Sequence, residues 1–169
     1  MPKILIIEDE ESIRRVLKKV LVQEDKNYEI IEAVDGVDGV SKINSNKLDL
    51  ILCDIKMPKK DGIEVLRHIL IECPNTPTIM ISGHGDLETA VESMRLGAFD
   101  YISKPPDLNR LLNSVRSALL NNNFVKKGKA KSKKSNEYNI IGEMNEFPFS
   151  DHIGVYGLFE IPIVKRNII

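Results

Sequence analysis

Three carboxylates occupy places where a parallel sheet would bring them together. Glu8 and Asp9 follow the short apolar run 4–7, and Asp54 follows the apolar run 48–53. If these runs are neighbouring parallel strands, their carboxyl ends meet at one edge of the sheet. Carboxylates at short range raise one another's pKa by repulsion, and a hard divalent cation relieves that repulsion. The sequence therefore predicts a Mg²⁺ site formed by Glu8, Asp9 and Asp54.

A hydroxyl group and an ammonium group follow two further apolar runs. Ser82 comes directly after run 78–81, and Lys104 lies just beyond run 99–102. A carboxylate can act as a nucleophile and form an acyl phosphate. Such a transfer depends on positioning and on neutralising the phosphoryl charge. We predict that Asp54 is the phospho-acceptor, that Lys104 supplies a balancing cation, and that Ser82 donates a hydrogen bond to a phosphoryl oxygen.

Alternating periodicities indicate the elements that position these groups. Short apolar runs at 4–7, 28–33, 48–53, 78–81 and 99–102 predict five strands, and helical spacing between them predicts five helices. Three of the helices have these apolar stripes: Ile13, Val16, Leu17, Val20 and Leu21; Leu87, Ala90, Val91 and Met94; Leu108, Leu111, Leu112, Val115 and Leu119. Asp86 and Asp107 are predicted N-caps, and Gly97 a left-handed C-cap.

The alternation of strands and helices predicts an α/β fold, a doubly wound five-stranded parallel sheet with helices on both faces. The run 28–33 contains Glu29 and Glu32, which favours an edge strand. In such sheets the functional site lies at the carboxyl ends of the strands, near the point where the strand order reverses. This is the edge at which the carboxylates, Ser82 and Lys104 are expected.

Composition changes along the chain and predicts three segments. Acidic residues outnumber basic ones in residues 1–121, whereas the remainder is basic, although the whole chain has a net charge of −1. We assign residues 1–121 to the globular domain, with the last helix ending at 121–123. Residues 122–137 form a lysine-rich basic linker, either disordered or a solvated helix extension. Residues 138–169 form a short apolar tail, too short for an independent core.

Several classes of protein are disfavoured by the composition. No apolar run is long enough for a transmembrane helix, and the N-terminus lacks a signal peptide, so we expect a cytoplasmic protein without a membrane partner. Cys53 and Cys73 lack metal-binding or redox spacing. Strand neighbours point to opposite faces, so Cys53 is not expected to act beside Asp54.

Five motifs, in order, resemble the receiver (CheY-like) domains of two-component response regulators. They are Glu8-Asp9, Asp54 with Met57-Pro58, Asp61-Gly62, Ser82-Gly83 and Lys104-Pro105, and the resemblance spans residues 3–121. The family has a flavodoxin-like sheet in the order 2-1-3-4-5. The resemblance also implies a cis peptide bond between Lys104 and Pro105.

The resemblance implies a role for each matched residue. Glu8, Asp9 and Asp54 hold Mg²⁺ together with the backbone carbonyl of Lys56. Asp54 accepts a phosphoryl group from a sensor histidine kinase. Ser82 and Lys104 contact that group, and Tyr101 turns inward when they move. Such a domain is not an enzyme in the usual sense, because it catalyses only its own phosphorylation and dephosphorylation.

The stretch from Ser82 to Pro105 is most similar to the NtrC-type branch of the family, whose members drive sigma-54 polymerase. Residues 140–143 resemble the start of the ATPase domain of that branch, but neither a phosphate-binding loop nor a DNA-binding domain follows. We therefore expect either a truncated or frame-shifted regulator or a genuine short extension. The linker is favoured over a nucleic-acid contact, because no aromatic residues interleave its lysines.

The predicted function is phosphorelay signalling that controls a partner or a transcriptional output. A phosphate-driven homodimer through the surface of the fourth helix, fifth strand and fifth helix is a further hypothesis. Two alternatives remain: a phosphate-independent interaction module, and a flavodoxin-type FMN carrier. The carrier requires a glycine-rich phosphate loop where this chain has Glu8-Asp9-Glu10-Glu11.

Overall fold

A computed structural model describes residues 1–83 and 87–135 of the chain, with side chains as far as residue 122. Within these ranges strands and helices alternate, as the periodicity predicts. The elements are β1 (Lys3–Ile7), α1 (Glu11–Glu24), β2 (Glu29–Ala33), α2 (Gly36–Ser45), β3 (Leu50–Asp54), α3 (Gly62–Glu72), β4 (Thr78–Ser82), α4 (Leu87–Arg95), β5 (Asp100–Ser103) and α5 (Leu108–Ser135). The predicted N-cap Asp86 and the apolar segment 138–169 lie outside the described residues.

All strand pairings in the sheet are parallel, and the order is β2-β1-β3-β4-β5. The doubly wound α/β fold is confirmed, and β2 is an edge strand as its two glutamates indicate. β1 and β3 are neighbours, with Ile7 opposite Cys53 in the register. The carboxyl ends of these two strands therefore lie side by side, as the site prediction requires.

The three central strands, β1, β3 and β4, are buried on both faces, which explains their nearly continuous apolar runs. Alternate residues enter two cores, one with α2 and α3 and the other with α1 and α5. Leu5, Ile7 and Cys53 belong to the first core, whereas Ile4, Ile6 and Leu52 belong to the second. This alternation fixes the direction of every side chain at the strand ends.

Local signals at the helix ends agree with the sequence. The Asp107 carboxylate accepts a hydrogen bond from the Arg110 backbone N–H at 3.0 Å, so Asp107 caps α5 as predicted. Gly97 has φ +88° directly after α4, as the left-handed C-cap prediction requires. The Lys104–Pro105 peptide bond is cis, as the family resemblance implies.

Two of the predicted apolar helix stripes are not fully buried in the structure. In α1, Leu17 and Leu21 are buried, but Val16 is 52% exposed. In α4 the stripe faces outward: Leu87 is 77% exposed and Met94 48% exposed, and Ser93 is the buried residue. An apolar stripe shows which residues share a helix face, but whether another element covers that face depends on the tertiary fold.

The last helix is longer than predicted. The sequence suggests an end at 121–123, whereas α5 continues to Ser135. Asparagine costs only a fraction of a kcal/mol in a helix, roughly 0.7 at most, and lysine is a good helix former. The Asn122 amide also donates a hydrogen bond to the Asp49 carbonyl at 2.8 Å, which secures the helix at this point. Of the two alternatives for the basic segment, the helix extension holds as far as Ser135.

Candidate functional site

Three charged side chains extend one face of the sheet beyond the strand ends. Glu8 follows β1, Asp54 ends β3 and Lys104 follows β5. Each comes two residues after a side chain in the core beneath α1 and α5, these being Ile6, Leu52 and Ile102. Because strand side chains alternate with a period of two, all three point to the same side. The parallel sheet thus places two acids and one base in a common position.

The Lys104 ammonium lies between the two acids. Its Nζ is 2.7 Å from Oε2 of Glu8 and 3.0 Å from Oδ1 of Asp54. Glu8 is 1% exposed and Asp54 4% exposed. Within the described residues, neither of these two oxygens accepts a well-directed hydrogen bond, so the ion pair with Lys104 compensates their charge. Two buried carboxylates therefore share one cation.

The third acid completes a group that fits a metal ion. Asp9 is exposed, and one carboxylate oxygen from each of Glu8, Asp9 and Asp54 lies within 4.8 Å of the others. A set of carboxylate oxygens with open space for water suits Mg²⁺ rather than softer metals. The two buried oxygens that contact the Lys104 ammonium are the atoms expected to bind a cation. The residues present therefore fit the predicted ion.

Burial and charge shift the pKa values of all three buried groups. Burial raises the pKa of Glu8 and of Asp54 above the usual range, although the Lys104 ammonium opposes the shift in both. Burial alone would lower the pKa of Lys104, but its contacts with Glu8 and Asp54 outweigh that effect and raise it. The Lys104 side chain therefore stays charged, whereas the ionised forms of Glu8 and Asp54 are less stable here than in water. Such opposed environments are typical of functional sites.

Two neighbours fix the position of Glu8, and sequence reasoning missed both. The Glu10 backbone N–H donates a hydrogen bond to Oε1 of Glu8 at 3.2 Å. The guanidinium of Arg14, a residue in the first turns of α1, donates to the Glu8 carbonyl oxygen at 2.8 Å and lies 3.5 Å from the Glu32 carboxylate. No sequence pattern links Arg14 to Glu8, because the contact depends on how α1 leaves the sheet.

Ser82 and Tyr101 belong to the face of the sheet beneath α2 and α3, and Ser82 lies at the carboxyl edge next to Asp54, which is opposite Ile81 in the register. Ser82 is the buried last residue of β4, and Tyr101 is half-buried against the core that contains Met80. In the register Tyr101 is opposite Met80, and Ser82 is opposite Ser103. The Lys104 backbone N–H donates to the Ser82 carbonyl oxygen at 2.6 Å. The two predicted switch residues therefore share a face, and β4 is joined directly to the residue that bears the ammonium group.

The loop after β3 is held close to Asp54 by a glycine. A Cβ atom on Gly62 would lie 2.2 Å from the Asp54 carbonyl oxygen, which no side chain tolerates. The Gly62 backbone N–H donates to the Ile55 carbonyl oxygen at 2.8 Å, so the loop closes on itself. Lys56, whose carbonyl is a predicted metal ligand, lies within this loop, and its side chain is exposed.

Cys53 takes no part in the site. Its side chain packs in the core beneath α2 and α3, away from the face of Asp54. Burial raises the pKa of its thiol far above the ordinary range. The thiol is therefore protonated and inert, as strand alternation predicts.

Known proteins similar to this chain support the same assignment. The model of the response regulator receiver domain matches residues 4–116. The chain is 40% identical over 119 residues to the response regulator ArlR of Staphylococcus saprophyticus, which covers 70% of this chain and 53% of ArlR. It is 37% identical over 117 residues to the regulatory protein AtoC of Escherichia coli, covering 69% of the chain and 25% of AtoC.

The similarity to the NtrC branch is confirmed as well. The chain is 34% identical over 114 residues to the transcriptional regulator NtrC of Proteus hauseri, covering 68% of the chain and 24% of NtrC. The matched part thus spans about a half of ArlR and about a quarter of the two larger regulators.

Solved structures have the same architecture. A receiver domain from Clostridium thermocellum superimposes with a TM-score of 0.68 at 33% identity, covering 74% of this chain and 99% of that one. NtrX from Brucella abortus gives a TM-score of 0.69 at 33% identity, covering 78% of this chain and 30% of NtrX. The match leaves the flavin-carrier alternative without support. The chain belongs to the response regulator receiver family of two-component signalling systems.

Proposed function

We propose that this receiver domain is a magnesium-dependent switch phosphorylated on Asp54. The observation that supports the proposal is the buried pair Glu8 and Asp54, which shares the Lys104 ammonium at 2.7 and 3.0 Å. Such a pair stabilises the fold less than an apolar core would, so a functional role is its best explanation. Asp54 is the acceptor because it ends a strand that is buried along its whole length.

Magnesium would be held by the carboxylates of Glu8, Asp9 and Asp54 and by the backbone carbonyl of Lys56. When bound, it neutralises charge on the phosphoryl oxygens during transfer. The acidic cluster supports this assignment, because its oxygens lie within 4.8 Å of one another. The Lys104 ammonium, 2.7 Å from Glu8 and 3.0 Å from Asp54, would balance the charge of an incoming phosphoryl group.

In the proposed reaction a carboxylate oxygen of Asp54 attacks the phosphorus atom of a phosphohistidine. The new O–P bond forms while the N–P bond breaks, and the electron pair of that bond stays on the imidazole nitrogen, which takes up a proton. Lys104 balances the charge of the transferred group, and the Ser82 hydroxyl donates a hydrogen bond to one of its oxygens. Hydrolysis by water later restores the carboxylate and releases phosphate. The domain therefore catalyses only its own phosphorylation and dephosphorylation.

A shallow apolar pocket beside the site supports a helical kinase partner. It has a volume of about 450 Å³ and is lined by Ser12, Ile13, Val16, Leu17, Lys104, Pro105 and Pro106. Val16, which the helical stripe did not predict to be exposed, is one of the residues that line this pocket. An apolar groove next to the reacting lysine suits docking of a kinase helix that carries the phosphohistidine. We propose the sensor histidine kinase as that partner.

The output surface is proposed to be the face of α4, β5 and α5. Leu87 and Met94 on α4 and Leu108 on α5 are exposed apolar residues on these elements. Exposed apolar groups of this kind mark interaction surfaces when they are contiguous. Tyr101 on β5 would change position when Ser82 and Lys104 contact the phosphoryl group, and so alter an existing two-state equilibrium.

Acetyl phosphate provides a direct test of the acceptor. Incubation with Mg²⁺ should label the wild-type chain with a hydroxylamine-labile phosphoryl group, whereas Asp54→Ala should stay unlabelled. Asp107→Asn is the matched control, because it removes a carboxylate outside the acidic cluster and keeps the helix cap. Equal labelling of the wild type and Asp54→Ala would disprove the proposal, and an unlabelled wild type would favour the phosphate-independent interaction module.

Sedimentation tests the homodimer separately. The mass of the chain should rise when beryllofluoride, which mimics the phosphoryl group, is added with Mg²⁺. The increase should be lost in Met94→Glu, which places a charge on the exposed face of α4. An unchanged mass in both conditions would exclude the homodimer without affecting the phosphorylation proposal.

A further inference from the structure

The loop between β3 and α3 contains a residue in an unfavourable backbone conformation. Lys59 has φ +68°, in the left-handed region that residues other than glycine rarely adopt. The Lys60 backbone N–H donates to the Pro58 carbonyl oxygen at 2.8 Å, so Lys59 is the centre of a three-residue turn. Such a conformation persists only where the surroundings impose it.

An ion pair to another loop holds this turn. The Lys59 ammonium lies 2.6 Å from Oδ2 of Asp35, the residue that precedes α2. Asp35 is only 7% exposed, and its other oxygen, Oδ1, accepts a hydrogen bond from the Asp38 backbone N–H at 2.8 Å. The Asp38 N–H and the Lys59 ammonium together lower the pKa of Asp35. The carboxylate is therefore fixed by the helix it caps, and it presents one oxygen to Lys59.

The two loops also touch through their backbones. A Cβ atom on Gly36 would lie 2.2 Å from the Lys60 carbonyl oxygen, so only glycine fits there. The ends of the β3–α3 loop are tied separately, by Ile55 N–H to the Ile81 carbonyl at 3.0 Å and by Gly62 N–H to the Ile55 carbonyl at 2.8 Å. The contact with the β2–α2 loop thus reaches the middle of the β3–α3 loop.

We propose that the Asp35–Lys59 ion pair, here called the clasp, positions the β3–α3 loop so that the Lys56 carbonyl faces the divalent cation beside Asp54. Asp35 and Lys59 are positioning residues, because they act through the loop and not on the ion. The inference rests on the proposed function, since it assumes that the domain binds Mg²⁺. It adds a determinant of Mg²⁺ affinity that lies outside the acidic cluster.

Mg²⁺ affinity, measured by calorimetry on the full chain, is the main test. Asp35→Asn removes the charge and keeps an equally good N-cap, and Lys59→Met removes the ammonium and keeps a similar length. Partners that orient metal ligands usually affect affinity by 10–100-fold, and for the more remote clasp we expect each variant to bind Mg²⁺ about threefold to tenfold more weakly. The double variant should be no weaker than either single one, because one ion pair is lost in each.

Three further variants separate positioning from general stability. Asp38→Asn removes a carboxylate from the same helix turn together with its 2.7 Å pair to Lys42, and it should leave Mg²⁺ affinity unchanged. Lys59→Arg should restore affinity, because it keeps a cation of sufficient length. Lys59→Gly should relieve the backbone strain and raise the unfolding midpoint, yet bind Mg²⁺ as weakly as Lys59→Met.

The outcomes distinguish the clasp from the function on which it rests. Normal Mg²⁺ affinity in folded Asp35→Asn and Lys59→Met would overturn the clasp and leave the acidic site intact. A wild-type chain that binds no Mg²⁺ would overturn both. If Asp35→Asn does not fold, Lys59→Met alone decides, since its side chain is 67% exposed in the wild type and its loss leaves no buried gap. Acetyl phosphate labelling at saturating Mg²⁺ should reach the wild-type rate in every folded clasp variant.

Discussion

At the amino edge of the sheet, the half-buried Asp49 and the buried Asn122 take part in hydrogen bonds of ordinary length. The Lys3 backbone N–H donates to the Asp49 carboxylate at 2.8 Å, and the Asn122 amide donates to the Asp49 carbonyl at 2.8 Å. At the carboxyl edge, Glu8 and Asp54 are buried as well, but each has an oxygen without a well-directed donor. Both edges bury polar groups, yet only the amino edge pairs these groups with good hydrogen bonds.

The difference shows how to distinguish a structural polar group from a functional one. A buried polar group with a well-placed hydrogen-bond partner lowers the stability of the fold very little. A buried polar group whose hydrogen bonds are incomplete lowers it more. At the carboxyl edge, one oxygen of Glu8 and one of Asp54 are compensated by the Lys104 ammonium alone within the described residues, so a further cation can supply what is missing. Burial alone would not have separated the two edges.

The largest effect is expected from Gly62→Ala at the carboxyl edge. The added methyl group would collide with the Asp54 carbonyl oxygen, from which its Cβ would be 2.2 Å away. We expect the free energy of unfolding to fall by about 1–3 kcal/mol, near the upper end, and labelling by acetyl phosphate to be lost. Gly83→Ala is the control, because its nearest neighbour would be the Lys104 side chain at 3.9 Å. Equal labelling of the two variants would refute this explanation.

Asn122→Ala tests the amino edge. Loss of the amide leaves the Asp49 carbonyl without this donor and should lower the free energy of unfolding by about 1–2 kcal/mol. Labelling of Asp54 should stay normal, because the site lies at the other edge of the sheet. Asn121→Ala, at an exposed neighbouring position of the same helix, should change neither quantity. Urea unfolding and acetyl phosphate labelling measure the two effects, and reduced labelling in Asn122→Ala would show that the two edges are not independent.

Asp54→Asn should give a smaller and pH-dependent stabilisation of the metal-free protein. Burial raises the pKa of Asp54 above its usual value of 3.8, so ionising this group costs stability in the folded state. The advantage of the variant should be absent below pH 3.8, grow as the pH rises through the raised folded pKa, and persist above it. Urea titrations at several pH values measure it. A constant advantage at all pH values would show that charge is not the cause.

The smallest effect is expected for Glu24→Gln on the surface between α1 and α5. Glu24 lies 2.6 Å from Arg116, and this contact lowers the pKa of the carboxyl group. Exposed ion pairs contribute little to stability, so the melting temperature should barely change at neutral pH and not at all at acidic pH. A large decrease in the melting temperature at neutral pH would show that this surface ion pair matters for stability. It would contradict the view that the important charges are the buried ones at the carboxyl edge.

The fold was largely predictable because the three central strands are buried on both faces. The runs that became β1, β3 and β4 are nearly continuous in apolar residues, and each observed strand lies within two residues of its prediction. The site followed from the same pattern, since an acid after a buried strand must lie at the carboxyl edge. Glu8, Asp54 and Lys104 meet as expected.

The rest depends on contacts between residues that are distant in the sequence. The exposure of the α4 stripe could not be predicted, because a stripe does not show whether a neighbour covers it. The Arg14 contact with Glu8 and the clasp between Asp35 and Lys59 require loop geometry that no local pattern contains. A capping signal at Asp35, followed by Asp38, was present in the sequence, but it predicts a helix start and not an ion pair 24 residues away.

The length of α5 has a mechanical consequence. At about 1.5 Å per residue, a helix of 28 residues is roughly 40 Å long, so this one begins beside the carboxyl edge of the sheet and passes well beyond the amino edge. A helix of this length gives its last turn a fixed direction around the helix axis relative to the rest of the domain. Deleting or inserting one residue between Asn122 and Ser135 would rotate that last turn by about 100° around the axis. The number of residues in this part of α5 therefore sets the direction in which the helix ends as well as its length.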